Sequence, residues 1–438
     1  MLSSLFSCAP SLLPPTDEIP FSSEEAVTAE LGMPTLPQGF SAGFARRVLN
    51  PRVGTVLGGY SGAENRKSRT IRDDIMLTCV AVCDGENTLL FYSGDYLGFS
   101  ETVWNQVAKS VTRELGIPKE NVLMNATHSH TAPAIHLSST LAGIGSYLQE
   151  FYPAALQLAF EAMHDLEAAT LYAGKTRTDG LNYVRRYLYA DGSYAGNWPA
   201  IQGADKIRHE TEPDETLQIL KFDRETKKDI VLANWQCHPT AAGSATGTMV
   251  SADWIGSFRE TVEKKLGVLC SFHQGAAGTI VSYSKIEGEI TDRDFSARGK
   301  AVAETLIGAM DSLIPIKSGK VKASLHQYTA TYSEAYRTEN RLSATETDLT
   351  VTVLSIGEAA FATAPFEMAD TNGVFVKENS PYKMTFICAY TNGRYGYIPA
   401  LHSFPNGGYE VESCRFVPGT GEEIASLLLC ALQDLQAS

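Results

Sequence analysis

The sequence predicts an α/β fold in which helices flank a mixed β-sheet. Short apolar runs of strand length alternate with segments whose apolar residues recur every three or four positions. Two of the strand pairs are joined by hairpin signals rather than by helices. Beyond Phe40 no long Pro/Gly/Ser linker, charge run or internal repeat divides the chain. The 438 residues therefore read as an N-terminal arm over 1–38, rich in Ser, Pro and acidic groups, and a single domain over 39–438.

Taken in order, the arm holds one short helical candidate, Glu24 to Leu31. Met76 to Val82 and Thr88 to Ser93 are strands around Asp84-Gly85-Glu86-Asn87, whose Asp-Gly pair marks a tight turn. A helix capped at Ser100 places Trp104, Val107, Val111 and Leu115 on one face and stops at Gly116 and Pro118. Val122-Leu123-Met124 and Ile230 to Trp235 are buried strands. Asp253 to Leu266 is a helix with Ile255, Phe258, Val262 and Leu266 inward, followed by a strand at Val268 to Phe272. Asp294 to Leu313 reads as a long helix. Leu349 to Ile356 and Ala359 to Ala362 form a hairpin turning at Gly357-Glu358, Met384 to Tyr390 is a strand, and Gly421 to Leu435 a closing helix.

Hydrophobic residues at 44% and charged residues at 20% leave enough apolar material for a core that needs no disulfides. The net charge of -14 and the absence of any Lys/Arg block beyond pairs such as Arg185-Arg186 and Lys264-Lys265 exclude a nucleic-acid partner. No apolar stretch reaches the roughly 18 residues of a membrane span. The eight cysteines contain no CxxC pair, which suits free thiols in a reducing compartment and makes the cytoplasm the expected location. The alternative, an exported or lipid-anchored protein, rests on Leu5-Phe6-Ser7-Cys8, which resembles a lipoprotein cleavage site. The oligomeric state is left open.

Polar residues gather after the buried strands, where open α/β sheets place their active sites. After Met124 comes Asn125-Ala126-Thr127-His128-Ser129-His130-Thr131-Ala132-Pro133, and after Trp235 comes Gln236-Cys237-His238-Pro239. After Phe272 comes His273-Gln274-Gly275-Ala276-Ala277-Gly278, after the late hairpin Pro365-Phe366-Glu367, and after Tyr390 the run Asn392-Gly393-Arg394-Tyr395-Gly396-Tyr397. Residues two apart on a strand share a face, so His128 and His130 are expected to enter one cleft, oriented by the hydroxyls of Thr127, Ser129 and Thr131. On its own an HxH pair is more often two polar loop histidines than a metal site. His238, Glu367 and Tyr397 at other strand ends add nitrogen and oxygen donors without thiolate, the set of a catalytic zinc with an open position. Cys237 is expected to face the core. The Gln274–Gly278 turn either presents N–H groups to an oxyanion or merely packs tightly, and both readings stand.

Together these segments resemble the neutral, non-lysosomal ceramidase family. Ala42-Gly43-Phe44-Ala45-Arg46, Asn50-Pro51 and Gly58-Gly59-Tyr60 look like the family's start. Ala126 to Pro133 resembles its Gly-Thr-His-Thr-His-Ser-Gly-Pro segment, and Cys237-His238-Pro239, Ser251-Ala252-Asp253 and Gln274 to Gly278 agree in order. The resemblance implies a zinc-hydrolase-like catalytic domain that cleaves the N-acyl bond of a small-molecule or lipid-like acylated substrate through a metal-activated water. It implies Zn2+ on His128, His238, Glu367 and Tyr397, with Tyr395 the substitute for Tyr397. His130 is then the non-ligating histidine, titrating near neutrality and handling the water's proton, and Arg185 the substrate-facing arginine. Asp95 and Asp253 are candidate partners of the ligating histidines, and Asp253 is at least as readily only the N-cap of the helix it opens. Two departures qualify the substrate: Val281 stands where the family has a serine, with Ser282 one residue off, and the chain ends near where such ceramidases continue into a β-sandwich. A non-sphingolipid ester, lactone or peptide-like bond is thus the alternative, and a degenerate binding homologue the third reading.

Overall fold

Nine strands form the largest sheet among the residues described by the computed structural model, which are 31–60, 65–197, 207–244, 246–284, 286 and 295–438. The proposed arm helix from Glu24 and most of the arm lie outside that set. The sheet contains β1 (Ser41–Val48), β2 (Met76–Cys83), β3 (Thr88–Gly94), β4 (Val122–Ala126), β5 (Glu167–Arg177), β6 (Thr216–Arg224), β7 (Ile230–Trp235) and β8 (Leu269–Gln274). Their order is β8-β7-β6-β5-β1-β2-β3-β4, with Ile314–Pro315 added beside β5. The β3–β4 and β7–β8 pairs are parallel and the rest antiparallel, so the sheet is mixed as expected.

A second, four-stranded sheet lies against one face: β9 (Val321–Thr331), β10 (Glu346–Ile356), β11 (Ala359–Thr363) and β12 (Met384–Cys388). Alternate residues show why both sheets read as unbroken apolar runs. Leu89, Phe91, Ile230 and Leu232 point into a core shared with Phe361 and Phe386, while Leu90, Tyr92, Val231 and Ala233 point to the opposite face under the helices. Phe91 and Phe361 meet across the sheets at a centroid distance of 4.7 Å.

The helices α1 (Glu101–Leu115), α2 (Ile144–His164), α3 (Trp254–Leu266), α4 (Phe295–Ala309), α5 (Asp370–Asn379) and α6 (Thr420–Ala437) expose a recurrence the letters hide. Two antiparallel hairpin steps, a helical crossover to a parallel strand and a closing helix occur as β1-β2-β3-α1-β4-α2, then as β5-β6-β7-α3-β8-α4, and again as β9-β10-β11-α5-β12-α6. The absence of a sequence repeat thus concealed a threefold repeat of connectivity. The shared connectivity asks only for apolar strands and helices of fitting volume, which many sequences satisfy.

Local chemistry sets the boundaries. Ser100 accepts from Val103 N–H at the start of α1, and Gly116 closes it in the left-handed region. Asp253 caps α3 by accepting from Trp254 N–H. The parallel strand ends are tied by side chains. Asn125 Nδ2 donates to Ala389 O at 2.6 Å and its Oδ1 accepts from Gln274 N–H at 2.8 Å, while Asn234 Nδ2 donates to His273 O and Ile387 O, both at 2.9 Å. Three strand termini from three units are thereby drawn to one point.

Candidate metal and active site

His128, His238 and Glu367 follow β4, β7 and β11, one from each unit, and converge on a single buried spot. Glu367 Oε2 lies 3.2 Å from His128 Nε2 and 3.3 Å from His238 Nε2. Tetrahedral ligands at zinc bond lengths stand about 3.3 Å from one another, so this spacing fits donors around one ion. Glu367 pairs with Tyr397 in a short parallel bridge, and the Tyr397 hydroxyl reaches 3.5 Å from His238 Nε2. Tyr395, its alternative, instead donates to Glu101 Oε2 at 2.5 Å and is absent from the cluster.

The ring orientations are fixed from behind, though not by the carboxylates expected. His128 Nδ1 is 2.7 Å from Leu97 O and His238 Nδ1 is 2.6 Å from Ala277 O, so donation to these carbonyls leaves each Nε2 lone pair facing Glu367. Asp95 is engaged elsewhere, accepting from Arg259 at 2.9 Å through Oδ1 and again through Oδ2, and Asp253 caps α3 and accepts from Ala242 N–H. His128 does not sit on a strand. β4 stops at Ala126, and His128 has φ 72, the left-handed region that costs a non-glycine residue energy. His128 and His130 still come together, at a ring distance of 4.9 Å, through a loop kink rather than strand alternation. Tyr390, Asn392 and Asp253 also have positive φ; with His128 they make four of the five such non-glycine residues among those described, and all four lie in strand-end loops.

One ring nitrogen from each of His128, His130 and His238 lies within 4.8 Å of the other two, a group able to hold a metal. Neither His130 nitrogen nor His128 Nε2 has a hydrogen-bond partner. Two triads are therefore available. The one through Glu367 is tighter and supplies a negative charge, and we favour it on both grounds. Burial pushes His238 down to about 4 and His130 well below its ordinary value, so both rings are neutral at pH 7, the form that ligates a metal or accepts a proton. The titration of His130 near neutrality is thus corrected: desolvation outweighs its setting. For Glu367, burial raises the carboxyl, but facing His128 and His238 overrides it and the net value falls well below the carboxylate range. Burial keeps the Tyr397 phenol protonated.

Arg185 is beside the site yet already engaged. Its Nε donates to Glu410 Oε1 at 2.7 Å and a terminal nitrogen to Gly278 O at 3.0 Å, with the guanidinium 5.4 Å from the Tyr397 ring centre. These bonds make Arg185 a positively charged backing for Tyr397 rather than a free substrate-facing group.

The glycine turn packs rather than presents donors at its two glycines. Gly275 N–H bonds Trp235 O and Gly278 N–H bonds Met368 O. A Cβ on Gly278 would stand 2.4 Å from Glu367 O, so only glycine lets this turn lie against the ligand-bearing segment. Gly278→Ala is expected to cost about 1–3 kcal/mol and to displace Glu367, read as a lower denaturant midpoint with weakened metal binding. Val281 pairs with Tyr183 in a short strand, and Ser282 Oγ is buried without a partner. Cys237 lies in the core as expected. Sequence reasoning missed His136, Arg394 and Tyr390, whose rings or charges face this cluster; Arg394 stands in a quoted motif but follows no ligand spacing.

Buried imidazoles at the ends of parallel strands, converging with a carboxylate, are the donor set of a metal-dependent active site. The profile of the neutral/alkaline non-lysosomal ceramidase N-terminal region matches residues 46–287, more than half of the sequence, and the chain belongs to that family. His128, His130 and His238 fall within the match; Glu367 and Tyr397 lie beyond it and rest on geometry. Two solved structures are similar. One is a ceramidase complexed with C2, at 15% identity and TM-score 0.73 over 92% of this chain and 76% of that one. The other is the neutral ceramidase from Pseudomonas aeruginosa, at 16% identity and TM-score 0.72 over 92% and 75%. At such identity they establish the fold. No curated protein matches the chain significantly.

Proposed function

We propose that the protein is a zinc-dependent amidohydrolase of ceramidase type, cleaving the N-acyl bond of a small or lipid-like substrate. The observation that carries this reading is the meeting of His128 Nε2, His238 Nε2 and Glu367 Oε2 at 3.2 and 3.3 Å, with orphaned ring nitrogens around them. His128, His238 and Glu367 would hold the ion, and the Tyr397 phenol would be the fourth or an outer donor. When bound, zinc supplies Lewis-acid polarisation of a carbonyl and lowers the pKa of a water to about 7.

The remaining work falls to the chain. His130, kept neutral by burial, accepts the proton given up by the attacking water and returns it to the amide nitrogen, which leaves as the amine when the C–N bond breaks. Tyr397, kept protonated, donates to the developing oxyanion, and Arg185 behind it lowers the cost of that negative charge. Leu97 O and Ala277 O hold both imidazoles in their tautomer throughout. The whole span from residue 39 is proposed as one catalytic domain. The seven cysteines described are free, which favours a reducing, cytoplasmic setting, and no described helix is long and apolar enough to cross a membrane.

A panel of N-acyl sphingosines, N-acyl amines and acyl esters tests the reading on zinc-loaded protein. Amide cleavage lost with chelator and restored by zinc is expected. Turnover of esters alone, or of nothing on the panel, contradicts it.

A further inference from the structure

Between Asn392 and Tyr397 the chain carries a charge that the reaction above leaves unused. Arg394 runs over Gly98, where even a Cβ would come within 2.7 Å of its Cδ. One terminal nitrogen stands 3.7 Å from Glu367 Oε1, too far for a hydrogen bond, and Nε is buried without a hydrogen-bond partner. His136 lies beside it. Its Cε1 packs over Gly58, where a Cβ would come within 2.9 Å, and its buried Nδ1 is likewise bare. The charges its ring faces are those of Arg394, His128 and Glu367.

Arg415 completes the group. Its guanidinium is 5.7 Å from the Tyr336 ring centre and close enough to Arg394 for the two charges to oppose one another. Among the described residues no carboxylate comes within ion-pair distance of it, and its Nε has no acceptor. Glu101, the acidic group beside Tyr395, is spent on that residue's hydroxyl. A buried guanidinium Nε without an acceptor is costly, and in a chain of net charge -14 the missing acidic partner of Arg415 is a local feature.

We infer that Arg394, Arg415 and His136 form an anion-binding subsite at the edge of the His128–His238–Glu367 cluster, and that it receives a substrate carboxylate. The Arg fork and the bare imidazole nitrogen match two carboxylate oxygens, which neutral amides leave unpaired. Since Arg394 stands 3.7 Å from the Glu367 carboxylate, the anion lies next to the scissile bond rather than at the far end of a long chain. The substrate class is therefore the N-acylated amino acids, with the carboxylate on the carbon attached to the amide nitrogen.

This inference rests on the amidohydrolase reading of the same site, and the experiment separates the two. Zinc-loaded protein is assayed on N-acylglycine and on the N-acyl ethylamine of equal acyl length. The expected result is a preference for the acid of about tenfold or more in kcat/KM. Arg394→Gln should remove most of it, chiefly through KM, so that the acid loses at least about fivefold more than the ethylamine, and Arg394→Lys restores part of the difference. Equal rates on both substrates in the unaltered protein, or equal losses on both in the variant, overturn the subsite. If neither amide is cleaved, the amidohydrolase reading fails first. Calorimetric titration with N-acylglycine then still decides: tighter binding than the ethylamine, lost in Arg394→Gln and in Arg415→Gln, supports the subsite, and equal binding in all three proteins overturns it.

Discussion

Glu367→Gln and His128→Ala are each expected to release the metal and to lower kcat/KM by on the order of 10^3-fold or more, with little change in fold. The reason is geometric. Glu367 Oε2 stands within 3.3 Å of both imidazole nitrogens, and it brings the negative charge that offsets a divalent ion. A glutamine keeps the shape and loses that charge. His128→Ala removes a donor whose unfavourable φ is maintained by Leu97 O and by the backbone bond from His128 N–H to Tyr96 O. Metal content by emission spectroscopy and steady-state kinetics on the same preparations check both effects. A variant that kept its zinc and its rate would remove that residue from the site.

The second large effect is one of stability. Asp95 follows β3 directly and is fully buried, accepting two bonds from Arg259, one from Met76 N–H and one from the Thr127 hydroxyl. Asp95→Ala leaves the Arg259 guanidinium buried and uncompensated, which is expected to cost about 3–5 kcal/mol in chemical denaturation. The double variant Asp95→Leu with Arg259→Met removes both charges and should recover a good part of that loss. Because Thr127 is bonded to Asp95 and precedes His128, the single variant should also weaken metal binding. Unchanged stability in Asp95→Ala would show that this pair does not hold the strand ends together.

How much of this was legible depends on what each residue answers to. Strands β2, β3, β7 and β11 and helices α1 and α3 announce themselves because their limits are set locally, by the Asp84-Gly85 turn, the Ser100 cap or the Gly116 stop. His128, His238 and Glu367 are visible as donors because each follows a buried strand. The second sheet was less visible. Phe361 and Phe386 bury themselves against Phe91, and apolar runs read alike whether a helix or another sheet covers them. The threefold connectivity left no letters behind. His136 and Arg394 were missed for a different reason: they reach the site only through the gaps left by Gly58 and Gly98, residues far away in sequence. Arg185 was seen, but its acceptor Glu410 lies 225 positions further along, so its ion pair had no local sign.

X-ray data collected across the zinc absorption edge test the central claim most directly. The expected result is one anomalous peak per chain, about 2.0–2.2 Å from His128 Nε2, His238 Nε2 and a Glu367 oxygen, with the Tyr397 hydroxyl at or just beyond bonding distance. A peak centred on His130 and other residues, or none in protein that cleaves amides, would contradict it.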